Sequence, residues 1–152
     1  MLVFRLTREK YAGSLSGKGA ALKGARWNST GVELVYSSGN RSLAMAELAV
    51  HFSLATLPGS FVMLEILIPE DITMIELTVE QLPEEWKDFP FPSSTQKFGD
   101  RFVAENKFCV LKVPSAVTQG DHNYLINPRH ADFSQIKIIR KEKFPLDKRI
   151  FK

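Results

Sequence analysis

Apolar and polar positions along the chain predict several short strands with one clear helix among them. Residues 2–6 predict a first strand, and the alternating, partly β-branched run 32–36 predicts a second, closed by a turn at 37–40. Residues 42–57 predict a helix, with Asn40 or Ser42 as its cap and Pro58 and Gly59 as its stop. Two apolar stripes run along it, Leu43, Val50, Leu54 and Met45, Leu48, Phe52, as expected of a buried helix. Residues 61–68 and 72–79 predict two strands joined at 69–71. The stretch 83–94 alternates prolines with Trp86, Phe89 and Phe91 and predicts an ordered loop pinned by aromatics. A short helix capped by Thr95 is expected through about residue 104, then strands at 108–113, 124–126 and 135–139. Strands in runs, not in strict alternation with helices, favour an α+β fold.

Composition narrows the class. At 152 residues the chain suits a single domain over 1–152, and 44% hydrophobic with 24% charged residues is enough apolar material for a core. The net charge of +3 hides three blocks. Residues 1–41 hold seven bases against two acids (+5), 42–136 six against thirteen (−7), and 137–152 seven against two (+5). A uniformly basic nucleic-acid binder is therefore not the first reading. One cysteine, Cys109, allows no internal disulfide and no cysteine-based zinc site. Residues 1–10 mix bases into the apolar positions, unlike a signal peptide, and no run is long enough to span a membrane. A cytoplasmic location is the expectation.

Familiar motifs fail on spacing. Gly13, Gly17, Gly19 and Gly24 make a glycine-rich loop, but Gly13 and Gly17 are one residue too close for a P-loop, and Leu22 stands where a dinucleotide fingerprint needs its third glycine. His51, His122 and His130 fall in no metal-ligand spacing, so no metal is expected. The serines lack a nucleophile elbow.

A few residues look out of place. Glu47 interrupts an apolar stripe and is the only acid between Glu33 and Glu65. Burying a carboxylate is costly, so it needs a partner arginine, a surface edge or a catalytic task. Arg26, followed by Trp27 and Asn28 just after the glycine loop, suits an anionic oxygen or simple packing on Trp27. Tyr36 ends the strand before the Glu47 helix and suits either a flat ligand ring or the core. Ser115 and Asn127 stand at strand ends, where sites and turns both collect.

Taken together, these residues resemble the RES domain family, named for an arginine, a glutamate and a serine. The matching stretches are Gly17-Lys18-Gly19-Ala20-Ala21, Gly24-Ala25-Arg26-Trp27-Asn28-Ser29-Thr30-Gly31, Val35-Tyr36, Ala44-Met45-Ala46-Glu47, Val113-Pro114-Ser115-Ala116-Val117 and Asn123-Tyr124-Leu125-Ile126-Asn127-Pro128. Phe133, Trp86 and the late Phe144-Pro145-Leu146-Asp147-Lys148-Arg149 also fit. Ala25 departs from the pattern, where a second glycine is usual. The resemblance implies an ADP-ribosyltransferase-like fold with a small split β-sheet, NAD as substrate and no metal. It implies the toxin of a bacterial toxin–antitoxin pair that cleaves the nicotinamide–ribose bond, with water or phosphate as acceptor. It also implies an antitoxin partner with a helix-turn-helix DNA-binding portion that covers the active site, and a homodimer within that complex.

In such a site Glu47 would hold the ribose hydroxyls and stabilise the ribosyl cation, and Arg26 would bind the pyrophosphate or a ribose oxygen. Arg5 would add a second cation, and Tyr36 would stack on nicotinamide. Ser115 and Asn127 would place the nicotinamide-side ribose or the phosphates, with Trp27 and Asn28 beside them. Protein ADP-ribosylation on the same fold is the first alternative. A non-catalytic nucleic-acid module using the basic end is the second, although no helix-turn-helix pattern is visible.

Overall fold

The computed structural model describes residues 1–56 and 59–151. Seven strands form one mixed sheet: β1 (Leu2–Arg8), β2 (Val35–Ser38), β3 (Phe61–Leu67), β4 (Met74–Glu76), β5 (Val110–Pro114), β6 (His122–Ile126) and β7 (Lys137–Lys143). Their order is β4-β5-β6-β2-β1-β3-β7, antiparallel except for β4 beside β5. Among the described residues three α-helices complete the α+β fold: α1 (Lys18–Lys23), α2 (Arg41–Ala49) and α3 (Ser93–Glu105).

The sheet is nearly split. β1 pairs with β3 along its whole length, from Leu2 opposite Leu67 to Arg8 opposite Phe61. On its other side β1 meets β2 at one register pair, Phe4 opposite Ser38. A seam therefore opens between β4-β5-β6-β2 and β1-β3-β7. The Arg5 guanidinium bridges it, with Nη1 donating to the Tyr36 carbonyl at 2.9 Å. The largest described concavity, the candidate site, lies over this seam.

Side chains alternate across the sheet as strand geometry requires. Val110 and Ile126 pack with Val3, Leu64 and Ile66 on one side. Leu111, Val113 and Leu125 pack with Trp27, Trp86, Phe102 and Val103 on the other, under α3. Phe4, Ala44 and Met63 form a smaller cluster beneath α2.

Several boundaries differ from the sequence reading, each for a local reason. α1 falls inside the glycine-rich segment because the Ala20-Ala21-Leu22-Lys23 run carries good helix formers. Gly24 then ends it at φ +73°, a conformation that favours glycine. Asn40 caps α2 as expected, its Oδ1 accepting from the Leu43 N–H at 2.7 Å. The helix stops at Ala49 and not at 57. Downstream, Thr56 Oγ1 accepts from the Ser53 N–H at 3.0 Å and donates to the Ser53 carbonyl at 3.3 Å, so hydroxyls take over backbone groups that a helix would need. The expected stop at Pro58 lies outside the described residues, as do the Leu54 side chain of the first apolar stripe and Lys152 of the basic end.

Thr95 lies within the first turn of α3, whose cap is Pro92; its hydroxyl donates to the Pro92 carbonyl at 3.0 Å. β4 is shorter than 72–79 and sits at the edge of the sheet remote from β3, so the link at 69–71 is no hairpin. β7 extends past 139 through Arg140, Lys141, Glu142 and Lys143, which gives the opposite edge strand the charges that discourage further pairing. No helix among the described residues is long and apolar enough to cross a membrane.

Candidate active site

A cleft of about 610 Å³ lies over the seam. Phe4, Arg5 and Leu6 of β1 face Tyr36, Ser37 and Ser38 of β2 across it, α2 closes one wall with Glu47, and the Arg26–Trp27 segment and the 87–91 loop close another. Among the described residues that line it, Glu47 is the one acid, against the cations Arg5, Arg26 and Lys87.

Glu47 sits one helical turn beyond the buried Leu43 and Ala44, which anchor α2 on the sheet. Its Oε1 accepts from Asn123 Nδ2 at 2.7 Å and from the Ser115 hydroxyl at 3.0 Å. Both donors are fixed in turn. The Ser115 oxygen accepts from the N–H groups of Val117 and Thr118, each at 3.0 Å, so its single proton is left for Glu47. Asn123 Oδ1 accepts from the Ser38 hydroxyl at 2.8 Å, which orients the amide. Glu47 makes none of the ion pairs among the described residues. Neutral hydrogen bonds on one oxygen therefore hold the carboxylate, and the other oxygen has no partner among the described residues and is not buried.

Arg26 is fastened through one nitrogen. Nη1 donates to the carbonyls of Trp86 at 2.6 Å and Asp88 at 3.0 Å, and the guanidinium lies 5.3 Å over the Phe91 ring. A guanidinium has five N–H donors in a planar fork, so Nη2 and Nε keep three. Partial burial lowers the Arg26 pKa from its ordinary value, and the negative charge of Glu47 is the largest influence that raises it. Arg5 is also pulled down by burial, and with one hydrogen bond to the Tyr36 carbonyl it keeps four N–H donors unused among the described residues.

Tyr36 lines the cleft, but its hydroxyl turns into the scaffold. It donates to Asn28 Oδ1 at 2.6 Å and accepts from the Trp27 N–H at 3.1 Å. Burial raises the phenol above its ordinary pKa, so it stays a neutral donor at physiological pH. Asn28 is fully buried and spends its amide on the carbonyls of Ala20, Ser29 and Val32. Tyr36→Phe is expected to leave Asn28 Oδ1 without its donor and to destabilise the fold by about 1–3 kcal/mol, read as a lower denaturant midpoint. An unchanged midpoint would remove this contact from the account of stability.

Of the residues singled out from sequence, the structure brings Glu47, Arg26, Arg5, Tyr36 and Trp27 together on the cleft, with Ser115 behind Glu47. Two do not join them. Asn28 lies beneath the cleft wall. Asn127 follows the far end of β6, where its Nδ2 donates to Asn106 Oδ1 at 2.9 Å and its Oδ1 accepts from the Arg129 N–H at 3.0 Å, tying down the C-terminal end of α3.

The model of the RES domain matches residues 2–147. The chain belongs to the RES domain family. A curated protein of Photorhabdus laumondii named Toxin Res is 37% identical to it over 155 residues, covering 100% of this chain and 98% of its own length. A Sphingobium protein named Prs ADP-ribosylating toxin is 34% identical over 143 residues, covering 93% and 89%. The crystal structure of the M. tuberculosis MbcT–MbcA toxin–antitoxin complex contains a chain that superposes with a TM-score of 0.78 at 18% identity, over 94% of this chain and 83% of that one, and so shares the fold.

In this RES domain, sequence reasoning missed Asn123 as a site residue. Its signal was present: a buried amide inside the apolar strand β6, as anomalous there as Glu47 is on its helix. It also missed Ser38, Lys87, Phe89, Phe91 and His51, which line the cleft. These come from three separate stretches of chain, and no local pattern joins them.

Proposed function

We propose that this RES domain is the toxin of a toxin–antitoxin pair and depletes NAD by cleaving the nicotinamide–ribose bond. The observation that carries the reading is Glu47, among the described residues the one carboxylate of the cleft, held on one oxygen by Ser115 and Asn123 and without a described partner on the other, with Arg26 and Arg5 in the same cleft. Cleavage of this bond builds positive charge on the ribose, as in a glycosidase transition state. The bonding pair leaves with nicotinamide, which departs neutral, so no general acid is required. One preorganised carboxylate at the developing cation supplies the main electrostatic stabilisation.

Glu47 Oε2 accepts from a ribose hydroxyl and faces the anomeric carbon. Water or phosphate then attacks that carbon, giving ADP-ribose and a proton, or ADP-ribose 1″-phosphate. The free donors of Arg26 bind the pyrophosphate as a fork, and Arg5 adds a second cation. Tyr36 packs on the nicotinamide side, with Trp27 behind the wall. Asn28 and Asn127 serve the scaffold. The antitoxin reading is supported by the fold shared with a chain of the MbcT–MbcA complex. A helix-turn-helix antitoxin covering this cleft would block NAD directly, and a homodimer within that assembly is part of the same reading.

Transfer of ADP-ribose to a protein is the second reading, favoured by the similarity to the Sphingobium protein named an ADP-ribosylating toxin. Incubation with labelled NAD separates the two. Free ADP-ribose, or its phosphate ester when phosphate is present, supports depletion, and label on a protein supports transfer.

Arg26→Ala is expected to weaken NAD binding by about ten- to a hundredfold, the effect of one or two lost charge-assisted hydrogen bonds. Calorimetry with NAD on a Glu47→Gln background, where substrate is not consumed, measures it. Unchanged affinity would assign Arg26 to the loop it fastens.

A further inference from the structure

Phe89 is 75% exposed at the rim of the cleft. One exposed phenylalanine means little by itself, but the setting of this one is built. Its backbone is pinned immediately upstream, because Arg26 Nη1 takes the carbonyls of Trp86 and Asp88 on either side of Lys87. Trp86 is buried against Trp27, with ring centroids 6.4 Å apart. Phe91 backs the Phe89 ring at 5.4 Å and 88°, and Phe91 itself lies under the Arg26 guanidinium. The other aromatics expected to pin this loop do so. Phe89 is held by them and left uncovered.

The order of groups along the cleft gives that ring a task. Arg26 lines the same cleft as Glu47 and holds the loop that carries Phe89, through the Trp86 and Asp88 carbonyls and over the Phe91 ring. NAD is two nucleosides joined by a pyrophosphate. With the nicotinamide ribose at Glu47 and the pyrophosphate on Arg26, the adenosine half emerges on the Lys87–Phe91 side. We infer that Phe89, backed by Phe91, is the stacking platform for the adenine ring and the residue by which the cleft prefers a dinucleotide over a mononucleotide. The inference rests on the NAD-cleaving reading. Base–aromatic stacking is worth roughly one to two orders of magnitude in affinity, and the exposed ring costs the fold little to remove.

The test is steady-state NAD cleavage by the full chain and its Phe89→Ala and Phe89→Tyr variants, with ADP and nicotinamide mononucleotide as competing inhibitors. Phe89→Ala should raise the KM for NAD by about tenfold with kcat within about twofold, and weaken inhibition by ADP by a similar factor. Inhibition by nicotinamide mononucleotide should not change, and Phe89→Tyr should restore the parental KM. An unchanged KM for NAD, or equal loss of both inhibitors, overturns the adenine platform and leaves the NAD-cleaving reading standing. A wild-type chain that consumes no NAD overturns both.

Discussion

Glu47→Gln is expected to fold like the parent and to cleave NAD about a thousandfold more slowly. Glutamine keeps the volume of glutamate, and its carbonyl oxygen accepts the same hydrogen bonds from Ser115 and Asn123. What is lost is the full charge beside the ribosyl cation. A unit charge about 4 Å from an opposite one is worth about 4 kcal/mol at the effective dielectric of a partly exposed protein site. At about 1.4 kcal/mol per factor of ten, that is about three orders of magnitude in rate. Circular dichroism should show the parental spectrum and a melting temperature within about 2 °C. NAD consumption at the parental rate by the pure variant would remove Glu47 from the chemistry.

The anomaly that pointed to Glu47 was local: a carboxylate in an apolar stripe four residues after Leu43. Its partners were not local. Ser115 and Asn123 reach it across 68 and 76 residues of sequence, and periodicity carries no information about such pairings. The same limit separates Arg5 from Tyr36, 31 residues apart, whose hydrogen bond crosses the seam in the sheet. Asn127 is the converse case, placed by the structure away from the cleft. A polar residue after an apolar strand and before Pro128 has the look of a site residue, but the end of β6 that carries Asn123 is the one at the cleft.

Helix and strand limits were misread where side chains compete with the backbone or where charge conceals an edge. The apolar run beyond Ala49 suggested a longer helix, and the Ser53–Thr56 hydrogen bonds end it. The charged stretch after residue 139 lies beyond the strand expected at 135–139, and it continues β7 along β3, with Lys143 opposite Val62. In the first case a local hydroxyl competes with the helical backbone, and in the second the tertiary neighbour β3 decides.

Gly99→Ala is expected to be the most destabilising of these substitutions, although intrinsic propensity argues the other way. In an exposed helix interior, alanine is favoured over glycine by up to about 1 kcal/mol. Gly99 is buried in α3, and a Cβ added to it overlaps the Trp27 carbonyl, oxygen and carbon both. That obstacle is backbone and cannot rotate away, so α3 or the 25–29 segment must move. The segment has little freedom to do so. Gln96 Nε2 donates to the carbonyls of Ala25 and Asn28 at 3.1 and 3.2 Å, and the Asp100 carboxylate accepts from the Ser29 N–H and hydroxyl at 2.9 and 2.5 Å. Overpacking of this kind costs about 3 kcal/mol, which for a chain of this size lowers the melting temperature by about 10 °C. Because Arg26 lies within the displaced segment, NAD affinity should fall even at temperatures where the variant remains folded. Thermal denaturation followed by calorimetry on the Glu47→Gln background reads both effects. A variant as stable as the parent would show that α3 does not hold Arg26 in place.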